Sequence, residues 1–129
     1  HIVDKDVKWW EILLKYSETF RHKIIDTKTV VDFFNTETGM NLTTVFNQYL
    51  RYANIPKLEL RKSKGKLEFR WKADESKFNM PVDIKIKGKK YRLYPTNAWK
   101  KTKSNINKIE DIEVLNNDFY INVDLLKKL

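Results

Sequence analysis

Residues Gly39 to Pro56 read GMNLTTVFNQYLRYANIP. Within this stretch Leu42, Val45, Phe46, Tyr49, Leu50 and Ala53 recur at i, i+3, i+4, i+7, i+8 and i+11, the spacing that gathers apolar side chains on one face of an α-helix. Gly39 can end a preceding helix, Asn41 can cap this one, and Pro56 forbids its continuation because it lacks an amide proton. Beyond Pro56 the apolar period changes to two, the period of a strand with one buried face. The chain therefore passes from helix to sheet at this point, which makes the fold class α+β.

Upstream, Val7 to Phe20 carries Trp9, Leu13, Tyr16 and Phe20 on one stripe and Val7, Trp10 and Leu14 on an adjoining one. So wide an apolar arc predicts a helix buried on more than one side. Thr27 or Asp26 can cap a second helix bearing Val30, Val31, Phe33 and Phe34, closed by Gly39. Three short helices offer more aromatic surface than they can bury among themselves, which implies a partner surface outside them.

Downstream, Leu58 and Leu60 alternate with Glu59 and Arg61. The turn Ser63-Lys64-Gly65-Lys66 then leads into Leu67, Phe69 and Trp71, which alternate with Glu68, Arg70 and Lys72. This pattern is a hairpin with one apolar and one charged face. Val82, Ile84 and Ile86 form the next strand, and Lys87-Gly88-Lys89 turns it into Lys90 to Pro95. A further strand is expected around Ala98 and Trp99, then a polar loop from Thr102 to Asn107. The last strands are expected at Ile109 to Leu115 and Phe119 to Val123, around the turn Asn116-Asn117-Asp118. Some seven short strands joined by tight turns predict an antiparallel, Ig-like β-sandwich over residues 57–129, behind a helical segment over residues 1–56.

The 129 residues, of which 41% are hydrophobic, suffice for a real core, and three glycines and three prolines speak against low complexity. No apolar run approaches the roughly 18 residues a membrane helix needs, so no membrane segment is expected. Asp4, Lys5, Asp6 and Lys8 interrupt the place where the apolar core of a signal peptide would lie. A start at His1 rather than Met suggests a piece of something longer, or a residue left by a tag. The absence of Cys excludes disulfides and thiolate metal sites.

The chemistry of a catalytic site is hard to find. His1 and His22 have no second His at i+4 and no carboxylate at ligand spacing, and His22 reads as a solvated histidine at a helix end. No phosphate-binding loop, nucleophile elbow or dinucleotide fingerprint occurs. Acidic pairs such as Asp74/Glu75 and Glu110/Asp111 are adjacent in sequence, so in a strand they point to opposite faces. A net charge of +9, from 26 Lys and Arg against 17 Asp and Glu, can attract nucleic acid, anionic lipid or acidic glycans. The best candidate for a nucleic-acid surface is Lys85 to Tyr94, but its in/out alternation reads better as a hairpin whose lysines deter edge pairing. Core positions are expected for Trp9, Trp10 and Trp71, and an exposed one for Trp99.

In order along the chain, Trp9-Trp10-Glu11-Ile12-Leu13, Thr27 with Asp32-Phe33-Phe34, Thr38-Gly39-Met40-Asn41-Leu42, Phe46-Asn47-Gln48-Tyr49-Leu50 and Ile55-Pro56-Lys57-Leu58 resemble the end of the catalytic domain in the aminopeptidase N family of gluzincin zinc peptidases. Phe69-Arg70-Trp71, Met80-Pro81-Val82, Tyr94-Pro95-Thr96 with Trp99, and Phe119-Tyr120-Ile121 resemble the sandwich that follows it in bacterial members. The family's H-E-x-x-H helix, its G-x-M-E-N loop and its transition-state tyrosine have no counterpart here. The resemblance thus implies a non-catalytic C-terminal module of a zinc aminopeptidase, with no catalytic, metal or cofactor-binding residue of its own and with zinc held by the parent enzyme.

The same resemblance makes Gly39 to Pro56 the junction between two domains. It makes Trp9, Trp10, Val30, Phe33, Phe34, Phe46 and Tyr49 candidates for a buried interdomain seam. The implied partner is the rest of the peptidase in cis, with self-association through the helical face when that partner is absent. It favours a periplasmic or extracellular location, which the sequence itself does not fix. The alternatives from other classes are a basic sandwich that binds single-stranded nucleic acid and a glycan-binding sandwich that uses Trp99.

Overall fold

The computed structural model describes all residues except 22, 24, 25, 107, 117 and 127–129. The expectation for His22 lies outside the described residues. Three helices come first: α1 (Asp6–Thr19), α2 (Thr27–Thr38) and α3 (Thr43–Arg51). Seven strands follow: β1 (Lys57–Ser63), β2 (Lys66–Lys72), β3 (Val82–Ile86), β4 (Lys89–Leu93), β5 (Lys100–Asn105), β6 (Ile112–Val114) and β7 (Asn122–Leu126). The α+β class read from the sequence is the observed one.

The helix ends follow from local chemistry. Asp26 accepts the amide of Thr29 at 2.8 Å and caps α2. Gly39 ends the same helix in the left-handed region at φ 67°, which costs glycine nothing. The start of α3 is shared between two side chains: Asn41 accepts the amide of Thr43 at 3.2 Å, and Asn35, reaching over from α2, accepts that of Leu42 at 2.6 Å. Asn41 thus serves the helix from one residue outside the cap position, which Leu42 occupies. The helix stops at Arg51, so Ala53 falls beyond it and is exposed.

The strands form two sheets, ordered β5-β2-β1-β7 and β4-β3-β6. Apolar side chains from both line a single core, with Leu58, Leu60, Leu67, Phe69 and Trp71 from the first sheet and Val82, Ile84, Leu93 and Ile112 from the second. Phe78, Met80, Ile106, Phe119 and Ile121 close it from the connections. Among the described residues all pairings are antiparallel except one. The first and last strands run side by side in the same direction, Lys57 opposite Asn122 and Arg61 opposite Leu126.

Four strand expectations need correction, the first being Ile109 to Leu115, where Ile109–Asp111 form a 3-10 turn and the strand spans only Ile112–Val114. Ala98 lies in a bend, and the strand there begins only at Lys100 and continues to Asn105 through the stretch expected to be a polar loop. Strand β5 lies at a sheet edge and is rich in lysine, as an edge that must resist further pairing often is, so it shows no apolar alternation. Ile106, expected in that loop, is buried in the core. Finally, Phe119 and Ile121 are buried as their alternation demands, but the amide of Ile121 folds back to the carbonyl of Phe119 at 2.9 Å, and the strand begins only at Asn122.

Candidate interdomain face

Helices α1 and α2 meet through aromatic rings. Trp9 stacks on Phe34 at 6.1 Å between centroids, Tyr16 contacts Phe33 and Phe34 at 5.6 Å each, and Phe34 reaches Phe46 of α3 at 5.9 Å. Four of the candidate seam residues, Trp9, Phe33, Phe34 and Phe46, are therefore gathered in one aromatic cluster. Val30 is half-buried on α2.

Tyr49 sits apart from that cluster, against the sandwich. Its ring meets Phe78 at 6.1 Å, and its hydroxyl donates to the carbonyl of Tyr120 at 2.7 Å. Burial, with the nearby Tyr120, pushes its phenol pKa up to about 12.

Trp10 is 68% exposed. It lies between Val7 at 74% and Leu14 at 62%, at i, i+3 and i+7 along α1. Trp9 is 39% exposed. The core positions expected for these two tryptophans are not found within this chain: Trp9, on the face of α1 that carries Ile12 and Tyr16, is only partly covered by Phe34, and Trp10 lies on another face. Leu50, Tyr52 and Tyr120 add further exposed apolar surface. Sequence reasoning missed Tyr120. The signal was available, since Phe119 and Ile121 point inward on either side of it.

Beneath the exposed face an apolar groove of about 510 Å³ runs between the helices and one end of the sandwich. Trp9, Phe34, Phe46 and Tyr49 line its helical side, and Met80 and Phe119 its sandwich side. The polar groups at its rim are few. The imidazole Nε2 of His1 lies 3.8 Å from a carboxylate oxygen of Asp118.

Helix α3 is fastened to the sandwich at several points. Val45 belongs to the sandwich core, and Thr44 donates to Asn79 at 2.8 Å. Gln48, with 0% exposure, donates from Nε2 to the carbonyl of Asn54 at 3.0 Å and accepts the amide of Glu75 at 2.7 Å. One side chain thus closes both the helix exit and the loop after β2, and no polar atom of it is left unmatched.

The outer face of β1 and β2 is a paired charge layer. Glu59 stands opposite Arg70 and Arg61 opposite Glu68; Arg70 Nε reaches Glu59 at 2.7 Å, and Arg61 Nε bonds Glu68. The hydrogen bond from Arg61, reinforced by Lys101, holds the Glu68 carboxyl below its usual range. Trp99, expected to stand exposed, is half-buried. The guanidinium carbons of Arg61 and Arg70 lie 3.9 and 4.5 Å from its ring centroid.

Charge is divided unevenly between the helical segment and the sandwich. Residues 1–56 carry seven basic and seven acidic side chains, and residues 57–129 carry nineteen and ten, so the whole excess of +9 lies in the sandwich. Among the described residues, no cluster of three or more His, Cys, Asp or Glu could hold a metal ion. No described helix is long and apolar enough to cross a membrane. In comparisons with known proteins, the chain matches no family model and no curated protein.

Proposed function

We propose that this chain is a non-catalytic module of a zinc aminopeptidase, formed by the closing helices of the peptidase domain and the Ig-like sandwich that follows. The single observation that carries the reading is the contrast between helices and sandwich. The sandwich closes a core that takes in Val45 of α3, whereas the helical layer leaves Val7, Trp10 and Leu14 in solvent and an apolar groove open between helices and sandwich. A monomer rarely leaves such a patch uncovered. The ordered motifs from Trp9 to Ile121 supply the family, and the rest of the peptidase in cis supplies the cover. In this reading the module's role is mechanical: the helices complete the wall of the catalytic domain, and the sandwich braces it. Zinc and the reacting groups belong to the parent.

The test has two arms. The reading frame that encodes this chain is expected to encode H-E-x-x-H and a downstream Glu ahead of it. Protein expressed from that longer frame is expected to hydrolyse amino-acid anilides, whereas this chain with added zinc is not. Hydrolysis by the chain alone, clearly above background, sinks the module reading, and a frame without the motif sinks the peptidase assignment.

The concentration of positive charge on the sandwich favours a second reading, a basic module for single-stranded nucleic acid. Part of that charge is already engaged, since Arg61, Arg70, Lys90, Arg92 and Lys101 all pair with buried carboxylates. Titration with a labelled oligonucleotide at two salt concentrations decides. Phosphate-driven binding weakens steeply with salt, and no binding at low salt removes this reading.

A further inference from the structure

The residues ahead of α1 lie against the sandwich, and one side chain there grips two of them. Arg92, on β4, donates from Nη1 to the carbonyl of Ile2 and from Nη2 to that of His1, each at 2.8 Å. Its Nε donates at the same time to Asp83 at 2.9 Å, the residue directly opposite on β3. Lys90 lies 3.5 Å from Asp83 and 3.9 Å from Asp4, and Asp4 lies 3.6 Å from Arg92. Asp4 takes φ 56°, left-handed backbone that aspartate tolerates better than most residues, and one residue separates it from Asp6, where α1 begins. Ile2 packs on the sandwich core, the His1 ring tilts against Phe119 at 6.1 Å, and His1, Ile2 and Val3 form part of the lining of the apolar groove.

We infer that residues 1–4 form a strap latched by Arg92, and that the strap is a removable wall of the groove beneath the helices. The grip of Arg92 on His1 and Ile2 falls on their main-chain carbonyls, so it does not depend on which side chains those two residues bear. It does require a planar fork with several donors, which arginine has and lysine lacks. Asp83 orients the fork from below, and Asp4 and Lys90 close the charge ring around it. Release of the latch frees the strap from β4 and opens the groove on that side while the sandwich core stays intact.

The absence of cysteine makes a distance measurement direct. Spin labels are placed at Val3→Cys and at Glu113→Cys on β6, in the full chain. With Arg92 present, a single narrow distance distribution is expected. In Arg92→Lys the distribution is expected to broaden, and the fluorescence of the neutral apolar dye Nile red to rise several-fold, with far-UV circular dichroism unchanged. A distribution as narrow as the reference in a folded Arg92→Lys protein overturns the latch. Should that variant lose its fold, Asp4→Asn decides alone. Its carboxylate is half exposed and, among the described residues, makes only the ring contacts, so the substitution is expected to broaden the distribution to a lesser degree, and an unchanged width overturns the proposal.

Discussion

Tyr49 and Tyr120 are 71 residues apart in sequence, yet the hydroxyl of the first donates to the backbone carbonyl of the second at 2.7 Å. This bond ties helix α3 to the loop that leads into the last strand. Tyr49→Phe removes it and is expected to cost about 0.5–1.5 kcal/mol in urea denaturation. The phenol, with its pKa pushed up from 10.0 to about 12, also favours the folded state while it is neutral. That contribution is complete below pH 10 and is lost as pH rises toward about 12. The alkaline decline in stability should therefore be shallower in Tyr49→Phe.

Gln48 fills a site that no apolar residue can fill without loss. Gln48→Leu leaves the amide of Glu75 and the carbonyl of Asn54 without partners, at an expected cost of about 1–3 kcal/mol. Gln48→Glu keeps an acceptor for Glu75 but sets a carboxylate against the carbonyl of Asn54. Its loss in urea denaturation should be larger at neutral pH and shrink in acid.

Acid should weaken the sandwich through two carboxylates. Burial alone would raise the pKa of Asp83, but the hydrogen bond and charge of Arg92, with Lys90, outweigh it and hold it below 3.8. The bond from Arg61 holds Glu68 below 4.5. Both groups are lowered on folding, so the stability they contribute is complete above these values and is lost as pH falls through the folded ones. Urea midpoints measured from neutral pH into acid should fall below pH 4.5, and Asp83→Asn should flatten that fall.

Trp99 is covered by the two guanidinium groups of Arg61 and Arg70. Added sugars are therefore expected to leave tryptophan emission unchanged, and saturable quenching would restore the glycan-binding alternative. Trp99→Ala removes both cation–π interactions and should cost about 0.5–1 kcal/mol for each, read from the shift in thermal midpoint.

The sheet hairpins were legible because their inner faces repeat without a break. Leu58, Leu60, Leu67, Phe69 and Trp71 alternate with charges that then pair across the outer face. Strand β5 was not legible, because its lysines and its place at the sheet edge erase the period. Gln48 was missed for a related reason. A stripe counted on apolar residues passes over a glutamine, although Gln48 is three positions after Val45 and as deeply buried as any core side chain. The aromatic character of the helices was plain, but its direction was not: neither period nor composition says which side of α1 finds a neighbour within the chain. The strap was hidden most completely, since main-chain carbonyls leave no mark in a sequence.

The parallel pairing of β1 with β7 has a consequence for load. Strand β1 begins at Lys57, directly after the helices, and β7 runs beside it in the same sense to Leu126. Tension applied through Pro56 at one end and Leu126 at the other slides two neighbouring strands past each other, so all the hydrogen bonds between them resist together. In an antiparallel pair pulled from adjacent ends, the bonds would break in succession. Pulled this way, the sandwich acts as a tie rod rather than a zip fastener.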